Sequence, residues 1–281
     1  MIFHAISGLP RSGSTLLAAL LRQNPRFYAE MTSPVVGLLN GLVRGMSAKS
    51  DFAICFDQSR RLDMLSAAVR AYYMGMLAGD EVIFDTSRSW TSRLALLDQL
   101  FPDAKVICCV RDVPDILNSV EGLLRKNPEQ ATRLFDFRAD LNVYSRAEIL
   151  MNSERGFIGF PWCSLREAWY GPFREKLILI EYDELCAAPH CVMQRIHDGL
   201  RAPGCGLADF HYDYENVEYS APEFDAALGL PGCHAVHGPV ERREQPVFLP
   251  PDLIAAYAGK SFWRSERKIE SLSRSINKIY G

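Results

Sequence analysis

The apolar positions of this chain fall into a few short, unbroken runs separated by longer stretches with helical spacing. Ile2 to Ile6, Glu81 to Phe84, Lys105 to Val110 and Leu177 to Tyr182 read as strands. They lack polar alternation because a strand covered on both faces has no solvent side. After the first run, Leu16, Leu17, Leu20 and Leu21 recur on one helical face, and Asn24-Pro25 supplies the stop. Apolar strands alternating with amphipathic helices predict an α/β fold with a central, mainly parallel β-sheet flanked by helices, where ligands bind outside the carboxyl ends of strands.

Two stretches depart from this rhythm. Residues 128–172 carry charges interleaved with Leu134, Phe135, Phe137, Leu141, Tyr144, Ile149 and Leu150, which suits a helical insertion between core strands. Residues 202–251 are rich in Gly and Pro and short of periodicity, so they read as a long irregular segment across the sheet edge. With no repeat and no linker, a single domain over 1–281 is expected.

Charge narrows the partners. Lys and Arg number 31 against 34 acidic residues, a formal charge of −3, which is not the footprint of a non-specific nucleic-acid binder. Any anion site must therefore be local. No apolar run has the length of a membrane span, and the first residues read as a strand rather than a secretory leader. The eight cysteines form no CxxC pair and show no zinc-cluster spacing, so reduced thiols in a cytoplasmic setting are expected.

The loop after the first strand carries the chemistry. Gly8-Leu9-Pro10-Arg11-Ser12-Gly13-Ser14-Thr15 has two glycines spaced as in GxxxxGK[ST], with Ser14 where a nucleotide triphosphatase carries lysine. The backbone can curl so that its N–H groups, the helix N-terminus, the hydroxyls of Ser14 and Thr15 and the cation of Arg11 all face an anion. The missing lysine weakens an ATPase or GTPase reading. The expected fold is thus a P-loop-NTPase-like domain.

This string resembles the 5′-phosphosulfate loop of sulfotransferases that use 3′-phosphoadenosine 5′-phosphosulfate (PAPS), most of all the tyrosylprotein sulfotransferases and their bacterial relatives. The second family motif, a strand ending in arginine with a serine eight residues on, is matched by Val106 to Arg111 followed by Ser119. Phe101 to Lys105 and Tyr182 to Leu185 extend the resemblance over most of residues 1–200. It implies sulfuryl transfer from PAPS to an acceptor, with PAP as product and no metal required. Pro10 to Thr15 would hold the 5′ end, Arg111 and Ser119 the 3′-phosphate, and Tyr182 would contact the nucleotide.

Arg11 is expected on the leaving-group side, where positioned cations stabilise developing charge. The cytosolic relatives' Lys-Thr-His context is absent, and the tyrosylprotein branch points to Glu30 as the base that relieves the acceptor of its proton. Thr86 stands where related enzymes often have lysine, so Arg88 either supplies a cation from nearby or the sulfonate has one fewer positive neighbour. Trp90 is read as core. Gly232 to Glu241 resembles the late family segment that folds over the nucleotide, with Arg242 and Arg243 just beyond, while His234 and His237 have no cysteine or acidic partner that completes a convincing metal set. The acceptor is expected to be a peptide tyrosine or a small hydroxyl compound. The competing expectations are a P-loop nucleotide kinase or NTPase and a non-catalytic nucleotide-binding protein of the same fold.

Overall fold

The structure, a computed structural model, describes residues 2–47, 53–76, 82–200 and 210–264. Five strands, β1 (Ile2–Gly8), β2 (Phe27–Ala29), β3 (Val82–Thr86), β4 (Val106–Val110) and β5 (Leu177–Glu181), form one sheet in the order β2-β3-β1-β4-β5. Every neighbouring pair is parallel. The α/β expectation is met, and the central strands β1, β3 and β4 are buried on both faces, as their unbroken apolar runs require.

Side chains of each strand divide between two cores. Phe3, Ala5, Ile83, Val106, Cys108 and Val110 face helices that include α2 (Val35–Gly45), α3 (Gln58–Tyr73), α4 (Leu94–Leu100), α5 (Val113–Lys126), α6 (Val143–Leu150) and α7 (Gly159–Tyr170). Ile6, Phe84, Ile107, Cys109 and Ile180 face α1 (Ser14–Leu21), α8 (Tyr182–Ala187) and α9 (Pro189–Leu200). Leu17, Leu20, Leu21 and Ile107 have no exposed surface, and each such aliphatic side chain contributes about 1.5–3 kcal/mol. Burial pushes the Cys109 thiol up to about 12 and the Cys108 thiol well above its ordinary value, so both are protonated core residues.

The site follows from the strand order. The chain leaves β1 for β2 and β3 on one side, then crosses to β4 and β5 on the other, so the carboxyl end of β1 lies at the switch of direction. Gly8 closes that strand with φ 101°, and a Cβ there would fall 2.2 Å from the carbonyl oxygen of Cys109. Only glycine lets the loop turn so close to β4.

Later parts of the chain wrap this end. The stretch between α5 and β5 contains a 3-10 turn at Arg133–Phe135, α6 and α7. Within 210–264 the chain forms a short antiparallel pair, β6 (Val217–Tyr219) with β7 (Val236–Gly238), and two helices, α10 (Pro222–Leu228) and α11 (Pro251–Tyr257). Among the described residues no helix is long and apolar enough to cross a membrane, and the seven described cysteines are free.

Candidate active site

The loop between β1 and α1 is built to leave donors unspent. Gly13 takes the N-cap position of α1 in the left-handed conformation, with no side-chain cap, so the first N–H groups of the helix are offered to a ligand. Arg11 also adopts a positive φ of 56°, which turns its side chain across the mouth of the loop. Its Nε donates to Ser119 Oγ at 3.3 Å, and Nη1 donates to the Cys233 carbonyl and lies 3.5 Å from the Cys233 sulfur. Pro10, Arg11, Gly13, Ser14 and Thr15 line a cleft of about 1390 Å³, whereas Ser12 is buried and turns back onto the Pro10 carbonyl.

Arg111, at the end of β4, lies beside this loop. Its Nη1 donates to the Arg11 carbonyl at 3.4 Å, its guanidinium stands 4.5 Å from the centre of the Tyr182 ring, and Asp115 is 3.7 Å from Nε. Tyr182, the first residue after β5, packs also against Gly13, where a Cβ would meet its ring at 3.0 Å. Arg111 is largely buried, and beside its loose ion pair with Asp115 it makes one long hydrogen bond while its Nε has no hydrogen-bond partner. Arg111, Ser119 and Tyr182 all line the cleft with the loop.

The end of β3 completes the floor. Asp85 is fully buried and accepts from Ser33 Oγ at 2.6 Å, Tyr73 Oη at 2.5 Å and Trp90 Nε1 at 2.6 Å. This knot fixes the turn that presents Thr86, Ser87 and Arg88 to the cleft, and it accounts for Trp90 as a core residue. Arg88 reaches the cleft over the Phe157 ring, 4.2 Å from its centre, and donates to the Phe157 carbonyl. Desolvation lowers its pKa to about 10, which leaves it charged at neutral pH. Arg88 therefore brings a second guanidinium to the cleft wall, two residues beyond Thr86.

Glu30 follows β2 and is held elsewhere. Its carboxylate pairs with Arg22 at 3.1 Å and accepts from Tyr219 Oη at 2.6 Å, and it does not line the cleft, although Met31 and Thr32 do. Arg243 and Glu241 line the cleft, while Arg242 bridges Asp115 and Asp183.

His234 has the partners that its local sequence does not show. Asp225, from α10, accepts from His234 Nδ1 at 2.5 Å and from its backbone N–H at 3.0 Å. With Cys233 these residues bring three potential ligand atoms within 4.8 Å. Both Asp225 oxygens are already engaged by His234 and Arg11 donates to Cys233, so the cluster is hydrogen-bonded as it stands. Proline at the start of α10 and Gly229 in the left-handed C-terminal position are a readable helix signal around Asp225. His237, in β7, is exposed.

The strand order and the loop define an α/β fold of the P-loop type. A profile of the sulfotransferase family matches residues 5–203, and the chain belongs to that family. It is 24% identical over 206 residues to protein-tyrosine sulfotransferase A of Caenorhabditis elegans, covering 72% of this chain and 50% of that protein. The chain thus spans about half the length of that curated relative. Among solved structures, the sulfotransferase domain from the curacin biosynthetic pathway superposes with a TM-score of 0.51 at 17% identity, covering 91% of this chain and 96% of that one. The sulfotransferase domain of the Synechococcus PCC 7002 olefin synthase gives 0.48 at 20% identity over 90% and 92%. The first of these shows the fold.

Proposed function

We propose that this sulfotransferase takes its sulfuryl group from PAPS and passes it to an acceptor hydroxyl or amine, releasing PAP and a sulfated product. The observation that carries the reading is the hydrogen bond from Arg11 in the loop to Ser119, in a cleft that Arg111 also lines, which gives the loop and the end of β4 one shared set of cations and donors. PAPS carries a phosphosulfate at its 5′ end and a phosphate at 3′, and it would occupy both. The loop from Pro10 to Thr15 receives the 5′ end. Arg111, whose Nε has no hydrogen-bond partner, and Ser119 receive the 3′-phosphate, and Tyr182 covers the nucleotide beside Gly13.

In the reaction the acceptor oxygen bonds to sulfur while the bond from sulfur to the 5′-phosphate oxygen breaks. The electron pair stays on that oxygen, where Arg11 and the loop N–H groups stabilise it in a cleft partly shut off from water. Arg88 adds positive potential on the sulfonate. These groups do the work of a bound cation, and no metal enters the scheme. The family resemblance points to Glu30 as the base, although here its carboxylate is engaged by Arg22 and Tyr219 and does not line the cleft. The name of the nematode relative makes a tyrosine peptide the first acceptor to test, and small phenols the second.

Isothermal titration with PAP, ATP and ADP, with and without magnesium, tests the donor. PAP should bind without magnesium, and labelled PAPS should yield labelled product. Magnesium-dependent ATP turnover with no affinity for PAP would replace this reading with a nucleotide kinase.

A further inference from the structure

The carboxylate of Asp225 is buried, and both of its oxygens accept from one residue, His234. A carboxylate oxygen accepts, so the short contact at 2.5 Å puts the proton on His234 Nδ1 and the lone pair on Nε2. Among the described residues Nε2 has no hydrogen-bond partner, and His234 lines the same cleft as Arg11 and Arg88. The Phe224 ring, edge-on at 5.4 Å, holds the imidazole from another side. This is the arrangement in which a buried acid sets the tautomer of an imidazole and leaves the other nitrogen to do proton transfer.

We infer that His234, oriented by Asp225, takes the proton from the acceptor during sulfuryl transfer. The inference rests on the sulfotransfer reading above and names a group outside the Lys-Thr-His context and apart from Glu30. Glu30 is tied to Arg22 and Tyr219 and stays off the cleft wall. His234 is next to Cys233, whose carbonyl receives the Arg11 guanidinium, so the loop that carries the base also anchors the leaving-group cation. As the acceptor oxygen bonds to sulfur, its proton passes to Nε2 and the electron pair of the broken bond stays on the PAP phosphate oxygen. His234 returns the proton to solvent afterwards. Asp225 acts through His234 and is a positioning residue.

The charged and titratable groups facing the imidazole are Asp225 from α10, Arg11 from the first loop, Arg88 from the end of β3 and the adjacent Cys233. Desolvation, with the two arginines, outweighs Asp225 and holds the imidazole below its ordinary pKa. It is neutral at pH 7 and ready to accept.

The test compares wild type, His234→Gln, Asp225→Asn and Glu30→Gln. Labelled PAPS is supplied with a tyrosine peptide or p-nitrophenol, and with water as acceptor if neither is sulfated. PAP affinity is measured alongside. His234→Gln should lower kcat by about 100-fold or more, the usual size of a general base, with PAP Kd within about twofold. Wild-type kcat should fall on the acid side as the imidazole protonates, and His234→Gln should lack that limb. Asp225→Asn should lower kcat and displace the limb, whereas a purely structural role would only reduce the folded fraction. Long-range proton–nitrogen NMR should show His234 neutral with hydrogen on Nδ1 at pH 7. Retained turnover in His234→Gln, a 100-fold loss confined to Glu30→Gln, or hydrogen on Nε2 overturns the inference. Failure of wild type to bind PAP overturns the sulfotransfer reading itself, a different result from PAP binding with an unimpaired His234→Gln.

Discussion

Arg11 Nε lies 3.3 Å from Ser119 Oγ, a contact 108 residues apart in sequence that joins the loop after β1 to helix α5. Ser119 is buried, so its hydroxyl is held for Arg11 and for whatever anion sits beside Arg111. Removing it by Ser119→Ala should weaken PAP binding about 5- to 15-fold, the value of one hydrogen bond of about 1–1.5 kcal/mol. Arg111→Ala removes a charge-assisted partner of about 2–3 kcal/mol and should cost PAP affinity about 30- to 150-fold. The decisive comparison is PAP against AMP, which lacks the 3′-phosphate. The preference for PAP should collapse in Arg111→Ala while AMP affinity changes little; equal losses for both ligands would place Arg111 elsewhere.

Arg88 reaches the cleft over Phe157, two residues beyond Thr86, which lines the cleft as well. Its charge should act on the sulfonate more than on the nucleotide. Arg88→Ala is expected to lower kcat about 10- to 100-fold, or about 1.4–2.7 kcal/mol of transition-state stabilisation, with PAP Kd nearly unchanged. Arg88→Lys should recover part of kcat. A change confined to PAP affinity would assign Arg88 to the nucleotide instead.

The Asp85 knot with Ser33, Tyr73 and Trp90 predicts a pH effect of definite sign. Burial raises the Asp85 pKa despite three donors that oppose the rise. Between its ordinary and raised values the folded chain holds a proton that the unfolded chain has released, so stability from this group is present at low pH and lost as pH rises. Asp85→Asn should remove that loss. Urea titrations should show the stability difference between wild type and variant shift in favour of the variant as pH rises from about 3.5 toward neutrality. A difference flat with pH would contradict the raised value. Asp85→Ala, by contrast, leaves the buried Tyr73 and Trp90 donors and the half-buried Ser33 hydroxyl unmatched and should cost about 3 kcal/mol or more.

What the sequence made legible follows from how locally each feature is encoded. β1, β3 and β4 are buried on both faces and β5 is an apolar edge strand, so their runs stand out, and the observed bounds differ from the expected ones by two residues at most, with β1 running on past Ile6 into the loop at Gly8. The glycines that set the loop are likewise local. β2 is a three-residue edge strand after Asn24-Pro25, and β6 and β7 are equally short, too little chain for any periodicity to develop. Glu30 is readable as a residue near the site but not as the partner of Arg22 and Tyr219, because Tyr219 arrives from 189 residues away. Asp225 and His234 are only nine apart, but they meet because α10 ends at Gly229 and the chain reverses, a geometry that composition alone does not carry.

His4 offers a test of the fold independent of function. Its Nδ1 accepts the backbone N–H of Lys105 at 3.1 Å, and its other nitrogen has no partner in the core. Burial, helped by Lys105, lowers its pKa to about 4. Between about 6.5 and 4 the unfolded chain takes up a proton that the folded chain refuses, so stability declines as pH falls through this window and levels off below it. The full loss across the window is up to about 3 kcal/mol, since a tenfold change in proton affinity is worth about 1.4 kcal/mol. His4→Asn places an amide oxygen near the Nδ1 position to accept from Lys105 and cannot titrate. Its urea midpoint, compared with wild type at about pH 7 and about pH 4.5, should show less acid destabilisation. Identical acid sensitivity in the two proteins would mean that His4 is solvated in the folded state, and that the start of β1 is less tightly joined to the Lys105 turn than the hydrogen bond requires.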